Sequence, residues 1–349
     1  MDNNYNKYCS GQLRLISDFD KIQEIFEIVL KNHVSNQGTQ DNNNIKILDI
    51  GCSHGKNSII VLKPLIEQIR NKWKPNEKVI EIFHSDLPIN DFSKFFNEVY
   101  HLNSYSNKIN NIFTYGIGNG YENQLVPDNS IDFIFSFTTL HWVPLLNEYK
   151  SFEGSLLNIS ITDRLPGFEN YYKERLLNVL HHRYNELKVG GIFSFNLFIQ
   201  EDQDSENEEK SKSMKNCTKK IKEILREMSY ESILSREEVE NMIVPAIIFT
   251  RDEYQYAIDK STNNTGLKLI YENRITSNWY YCYQDDESYI GSIIAFIGNF
   301  IKNAINGDKN RVDSIFNDFE QRLHLKYKSN PKDFQFHVSS LYLSFLKEN

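Results

Sequence analysis

Cysteine is scarce in this chain: Cys9, Cys52, Cys217 and Cys282 are scattered through 349 residues and form no C-x-x-C pair. That spacing excludes a disulfide framework and a zinc ribbon, and it reads as reduced thiols in a cytoplasmic protein. Positive charge is also in deficit. A net charge of −8 argues against a nucleic-acid binder, whose phosphate contacts call for a basic surface. No run is suited to crossing a bilayer. The most apolar stretch, Ile290–Ile301, is short and broken by Ser292, Gly298 and Asn299, so it reads as a buried helix and no membrane association is expected. The polar start, MDNNYNKYCSGQ, lacks the apolar core of a signal peptide. The pattern G-x-G-x-x-G is missing too, which leaves a nicotinamide oxidoreductase a distant reading. No internal repeat is found.

What is present begins with a large aromatic complement, 23 Phe and 20 Tyr, in a chain long enough to bury a sizeable core. The pattern centres on Ile45–Ser58, IKILDIGCSHGKNS. Ile45, Ile47, Leu48 and Ile50 form the apolar run of a buried parallel strand. Gly51 and Gly55 mark a turn, and Ile59, Ile60, Leu62, Leu65, Ile66 and Ile69 follow at helical spacing. Strand, glycine turn, helix is the first unit of a ligand-binding α/β sheet. Such a turn suits a ligand whose polar tail lies over it while an acid at the strand end, Asp49, takes a positive group. S-adenosylmethionine (SAM), with its ammonium and sulfonium, is such a ligand. From this stretch alone, an ordinary strand–helix turn is an equal alternative.

A helix is predicted from Asp18 to Lys31, then a polar loop over 35–44. A second strand over 79–84 leads to Ser85-Asp86-Leu87-Pro88, and an acid there suits the ribose hydroxyls of an adenosine. After helix 92–100 and a poorer strand over 111–117, Gly118-Asn119-Gly120-Tyr121 offers a close backbone approach and an amide to an adenine ring. Strand 131–137 ends at Thr138-Thr139-Leu140-His141-Trp142, which puts His141 and Trp142 at a ligand-binding edge. Residues 151–168 read as irregular. A long helix over 169–188 is expected to end at Gly190-Gly191, before a strand over 192–199. His181 and His182 on that helix point apart and are no metal pair. The charge-dense 201–215 reads as an exposed loop. Helices are expected over 221–228, 237–242, 252–258, 287–305 and 312–327, with a strand over 267–276. Residues 334–345 alternate like an edge or last strand suited to antiparallel insertion.

These segments together resemble the SABATH methyltransferases, the plant salicylate/benzoate/theobromine carboxyl methyltransferase family. The likeness runs through Tyr5–Gln12, Leu48–Asn57, Ser85–Phe92, Gly118–Tyr121, Pro127–Ser130 and Leu140-His141-Trp142. It implies an α/β fold: a Rossmann-like class I methyltransferase sheet with an α-helical cap, as one domain. The core sheet would take in approximately 45–145, 185–200 and 265–349, and the cap 146–184 and 216–262. It also implies SAM as cofactor and methyl esters of a small carboxylic acid as product. Purine-like N-methylation and a silent SAM-binding paralogue stand as alternatives. By carry-over, Tyr5, Cys52, Asn57, Asp86 and Leu87 join Asp49 and Gly51 at SAM, with Asn119 and Gly120 beside the adenine. Gln12 and Trp142 hold the substrate carboxylate, with His141 nearby, and no catalytic acid or base is required. A homodimer is expected by the same carry-over. Some positions depart: Cys9 replaces a usual Ser, Gly120 a usual aromatic, and Thr138 a frequent Tyr. Glu240–Pro245 matches only loosely a segment that can hold a metal, so magnesium is doubtful there.

Overall fold

The structure, a computed structural model, describes residues 24–31, 44–72, 78–102, 104–144, 169–200 and 208–348. The calls at Tyr5 and Gln12, most of the loop over 35–44 and the irregular stretch over 151–168 lie outside those residues, as does the first part of the helix expected from Asp18. The rest of that helix is α1, 24–31, which buries Ile25, Phe26, Val29 and Leu30.

Five parallel strands form the first part of a seven-stranded sheet. They are β1 (Ile45–Ile50), β2 (Ile80–Asp86), β3 (Ile112–Gly118), β4 (Ile131–Ser136) and β5 (Leu187–Ile199). β6 (Leu267–Asn278) and β7 (His337–Lys347) complete the order β3-β2-β1-β4-β5-β7-β6. β7 runs antiparallel between β5 and β6. It is therefore no edge strand. Its residues are paired on both sides and nearly all buried, and the outer position falls to β6.

Helices cover both faces. α1 and α2 (Lys56–Lys72) pack on one side with Ile47, Ile82, Phe133 and Phe135. On the other side, α5 (Glu169–Glu186) and α8 (Arg251–Asn264) pack with Leu48, Ile134, Phe193 and Phe195. Between them in sequence lie α3 (Phe92–Val99), α4 (Tyr105–Lys108), α6 (Glu208–Tyr230) and α7 (Arg236–Glu240). A separate apolar cluster joins α6 and α7 to α9 (Asp286–Ala304) and α10 (Lys309–Ser329) through Ile221, Met228, Met242, Tyr289, Ile297 and Phe319. So α8 lies on α5 beside the sheet, while α9 and α10 close the cluster around α6.

Two local expectations change. The segment read as a loop over 201–215 is helical from Glu208, because a run free of Gly and Pro lets α6 grow back from its apolar stripe. α5 ends at Glu186, before Gly190-Gly191, and both glycines lie inside β5. Leu187 already pairs with Ile131, and the register shifts before Phe133 meets Ile192. Gly190 supplies the positive φ (81°) in that shifted stretch.

Candidate active site

The carboxyl ends of β1 and β2 are stitched together by the turn between β1 and α2. Gly51 N–H and Cys52 N–H both donate to the Ser85 carbonyl, at 2.8 and 3.1 Å. Gly51 has φ +86°, and a Cβ there would lie 2.0 Å from Thr139 Oγ1. Thr139 in turn donates to the Ile50 carbonyl at 3.2 Å. Both the backbone angle and the space demand glycine. Gly51→Ala should therefore cost about 2–4 kcal/mol, from left-handed strain plus overpacking between β1 and β4. Urea unfolding measures it; a loss under about 0.5 kcal/mol, ordinary for a surface site, would contradict the reading.

Asp86 ends β2. Its Oδ2 accepts Ser53 N–H at 2.7 Å and its Oδ1 accepts Leu87 N–H at 2.8 Å, leaving other lone pairs open. Burial raises its pKa. On β1, Asp49 lies opposite His84, two residues before Asp86, with Oδ2 2.7 Å from His84 Nδ1. Neither carboxylate pairs with a lysine or arginine among the described residues. Leu87 is 49% exposed and faces Gly120, where an added Cβ would meet its Cδ2 at 3.4 Å. Asn119 holds Ser85 Oγ–H on its backbone carbonyl at 3.0 Å and Asn123 Nδ2–H on its side chain at 3.0 Å. Asn57 sits half-buried in the first turn of α2. Asp49, Gly51, Asp86, Leu87, Asn119 and Gly120 thus gather around the strand ends. The thiol of Cys52 departs from this group. It packs with Phe95 and Val99 under α3, and burial, with Asp86 and Asp49, pushes its pKa up.

The second half of the site follows β4. Thr138 (φ +52°) turns the chain, its N–H held by Asn196 Oδ1 at 2.7 Å. Ile247 N–H then donates to the His141 carbonyl and Val143 N–H to the Pro245 carbonyl, both at 2.8 Å, tying Trp142 to the 245–247 segment. The Trp142 ring lies 5.0 Å from Phe296 and 5.8 Å from Phe300 of α9. Its carbonyl accepts from Tyr121 Oη–H and from Arg175 Nη2–H, the latter at 2.8 Å. His141 is wedged between Trp142 and Phe198, at 5.0 and 4.5 Å, and its buried Nε2 has no partner among the described residues. Burial lowers its pKa from 6.5 to about 3, so the ring is neutral at physiological pH. The unfolded chain takes up this proton between pH 6.5 and about 3 and the folded one does not. Stability present above pH 6.5 therefore falls as pH drops through that window. His141→Asn should flatten that acid limb, read as the difference in urea midpoint between about pH 7 and about pH 4.5.

Sequence reasoning missed what holds the loop that follows β3. Arg183 and Glu186 of α5 are fully buried and paired, Nε to Oε2 at 2.6 Å. Arg183 also donates to the carbonyls of Tyr121 and Asn123 at 3.1 and 2.8 Å, and Glu186 accepts Leu125 N–H. Arg175 donates to Glu122 and stacks over the Tyr121 ring. One signal was available: Tyr172, Arg175, Val179, Arg183 and Glu186 recur at helical spacing along one stripe.

The sheet order, the antiparallel β7 and the carboxylates near a glycine turn define a Rossmann-like methyltransferase fold. Within that class, the chain belongs to the SAM-dependent carboxyl methyltransferase family, whose model matches residues 1–344. A benzoic acid/salicylic acid carboxyl methyltransferase of Petunia hybrida is 25% identical over 238 residues, 64% of each chain. A probable jasmonic acid carboxyl methyltransferase of Theobroma cacao is 23% identical over 74% of this chain and 71% of its own. The chain thus spans just under two thirds of the petunia relative's length. Among solved structures, a loganic acid methyltransferase with SAH matches the fold with a TM-score of 0.77, at 17% identity over 100% of this chain and 97% of that one. Among the described residues no group of three or more His, Cys, Asp or Glu is placed to hold a metal, and no helix is long and apolar enough to cross a membrane.

Proposed function

We propose that the chain is a SAM-dependent O-methyltransferase that makes the methyl ester of a small carboxylic acid. The observation that carries this reading is the pair of carboxylates at the ends of β1 and β2 without a lysine or arginine partner among the described residues. Such a pair suits a cofactor that brings its own positive charge and vicinal hydroxyls. Asp86 would take the ribose, Asp49 the ammonium, and the backbone at Gly120 with Leu87 the adenine, with Gly51, Cys52 and Asn57 lining the turn and Asn119 beside the ring. Bound SAM supplies an electrophilic methyl on a cationic sulfur. The acceptor carboxylate, with an ordinary pKa near about 4, is ionised at neutral pH and needs no base.

The protein's task is placement. Trp142 presents an indole N–H that donates to no protein group among the described residues, and Gln12 is its proposed partner on the acid. Neutral donors orient a carboxylate without neutralising it, and His141 beside them stays uncharged. Aligning the oxygen with the methyl at near-attack distance supplies several kcal/mol. The reading extends to a cytoplasmic homodimer, in keeping with thiols at Cys52, Cys217 and Cys282 that form no disulfide among the described residues. The test is a SAM assay across carboxylic acids and purines. A base-labile methyl ester from one or more acids is the expected result. N-methylated purine alone, or SAH binding with no turnover on any acceptor, would overturn it.

A further inference from the structure

Behind the Asp49 carboxylate runs a buried polar row. Asp49 and His84 are register partners on the adjacent strands β1 and β2. Asp49 Oδ2 lies 2.7 Å from His84 Nδ1, and His84 Nε2 lies 2.7 Å from the hydroxyl of Tyr105 on α4. The face they occupy is otherwise apolar, with Ile47, Ile82 and Phe135 around it. Polar groups on such a face are costly unless each is satisfied. A neutral imidazole satisfies all three: Nδ1–H donates to Asp49, and Nε2 accepts the Tyr105 hydroxyl proton. Phe95 closes against the His84 ring at 4.9 Å.

The row opens at one end. The side chain of His84 is 0% exposed, whereas that of Asp49 keeps 11%. Tyr105 is fully buried as well. The charge on Asp49 is felt by Cys52 and by Asp86, so it reaches the turn itself. One oxygen is fixed by the imidazole, and the group as a whole faces the strand ends.

We infer that His84 and Tyr105 are positioning residues that hold the Asp49 carboxylate toward the ammonium of the cofactor's amino-acid tail. The inference rests on the SAM reading above. Without the ring, Asp49 would be free to turn, and the tail would lose its fixed counter-charge while the adenosine kept Asp86.

Two ligands separate this role from a structural one. S-adenosylhomocysteine carries the amino-acid tail, and 5′-methylthioadenosine has the same adenosine and sulfur without it. Calorimetry on the full chain should show His84→Leu weakening adenosylhomocysteine about tenfold or more, as the loss of a charge-assisted contact requires. Methylthioadenosine should stay within about twofold. His84→Asn, whose amide nitrogen can stand near Nδ1, should recover most of the loss. Should His84→Leu fail to fold, Tyr105→Phe and His84→Asn carry the same comparison, with a smaller preferential loss for the tailed ligand in Tyr105→Phe. Parallel weakening of both ligands, or no change in either, overturns the inference. Failure of the wild-type chain to bind either ligand would instead remove the SAM reading beneath it.

Discussion

Trp142→Phe should lower kcat/KM for the acid about a hundredfold, the scale of losing a transition-state donor or an alignment of about 1 Å. Adenosylhomocysteine affinity should stay within about twofold, because the change lies on the proposed acceptor side of the site. Phenylalanine keeps the ring against Phe296 and Phe300 and removes only the indole N–H and some bulk. The backbone carbonyl of residue 142 would still accept from Arg175 and Tyr121. Packing is therefore spared, and an activity loss reports on substrate placement. Equal loss of turnover and cofactor binding would show that Trp142 is a core residue whose removal disturbs the whole site. The measurement is steady-state kinetics on the best acid, beside calorimetry.

The second large effect concerns stability. Glu186→Leu should lower the unfolding free energy by about 3–5 kcal/mol, the cost of stranding one member of a buried ion pair. Arg183 is 0% exposed and, among the described residues, would be left with the carbonyls of Tyr121 and Asn123 as partners. Leu125 N–H would lose its acceptor too. The same loop carries Asn119 and Gly120, so adenosylhomocysteine binding should weaken alongside stability. Urea midpoints measure the first effect. A change under about 1 kcal/mol, typical of an exposed pair, would contradict it.

The first βα unit was legible because its information is local. An apolar run, a glycine turn and a helical stripe lie within 45–69, and the structure places β1 and α2 there. The acid at the end of β2 and the His-Trp pair after β4 were legible for the same reason, since strand ends can be read from short patterns. Pairings that depend on distant segments were not. Residues 334–345 were legible as the last strand and as an antiparallel insertion, but not as an inner one, because nothing in them reveals that β5 and β6 flank β7. The end of α5 was misjudged at Gly190-Gly191, where the competing factor was a bridge from Leu187 to Ile131. Arg183 and Glu186 act on a loop 60 or so residues earlier, which no local spacing discloses. His84 was hidden within an apolar strand, and only the register opposite Asp49 shows its use.

One measurement bears most directly on the central claim, that a cationic adenosyl cofactor lies across the ends of β1 and β2. It is a crystal structure of the protein with adenosylhomocysteine. The ribose hydroxyls should lie within hydrogen-bond reach of Asp86, the ammonium at Asp49, and the sulfur toward Trp142. An adenosine seated elsewhere, with both carboxylates untouched, would contradict the account.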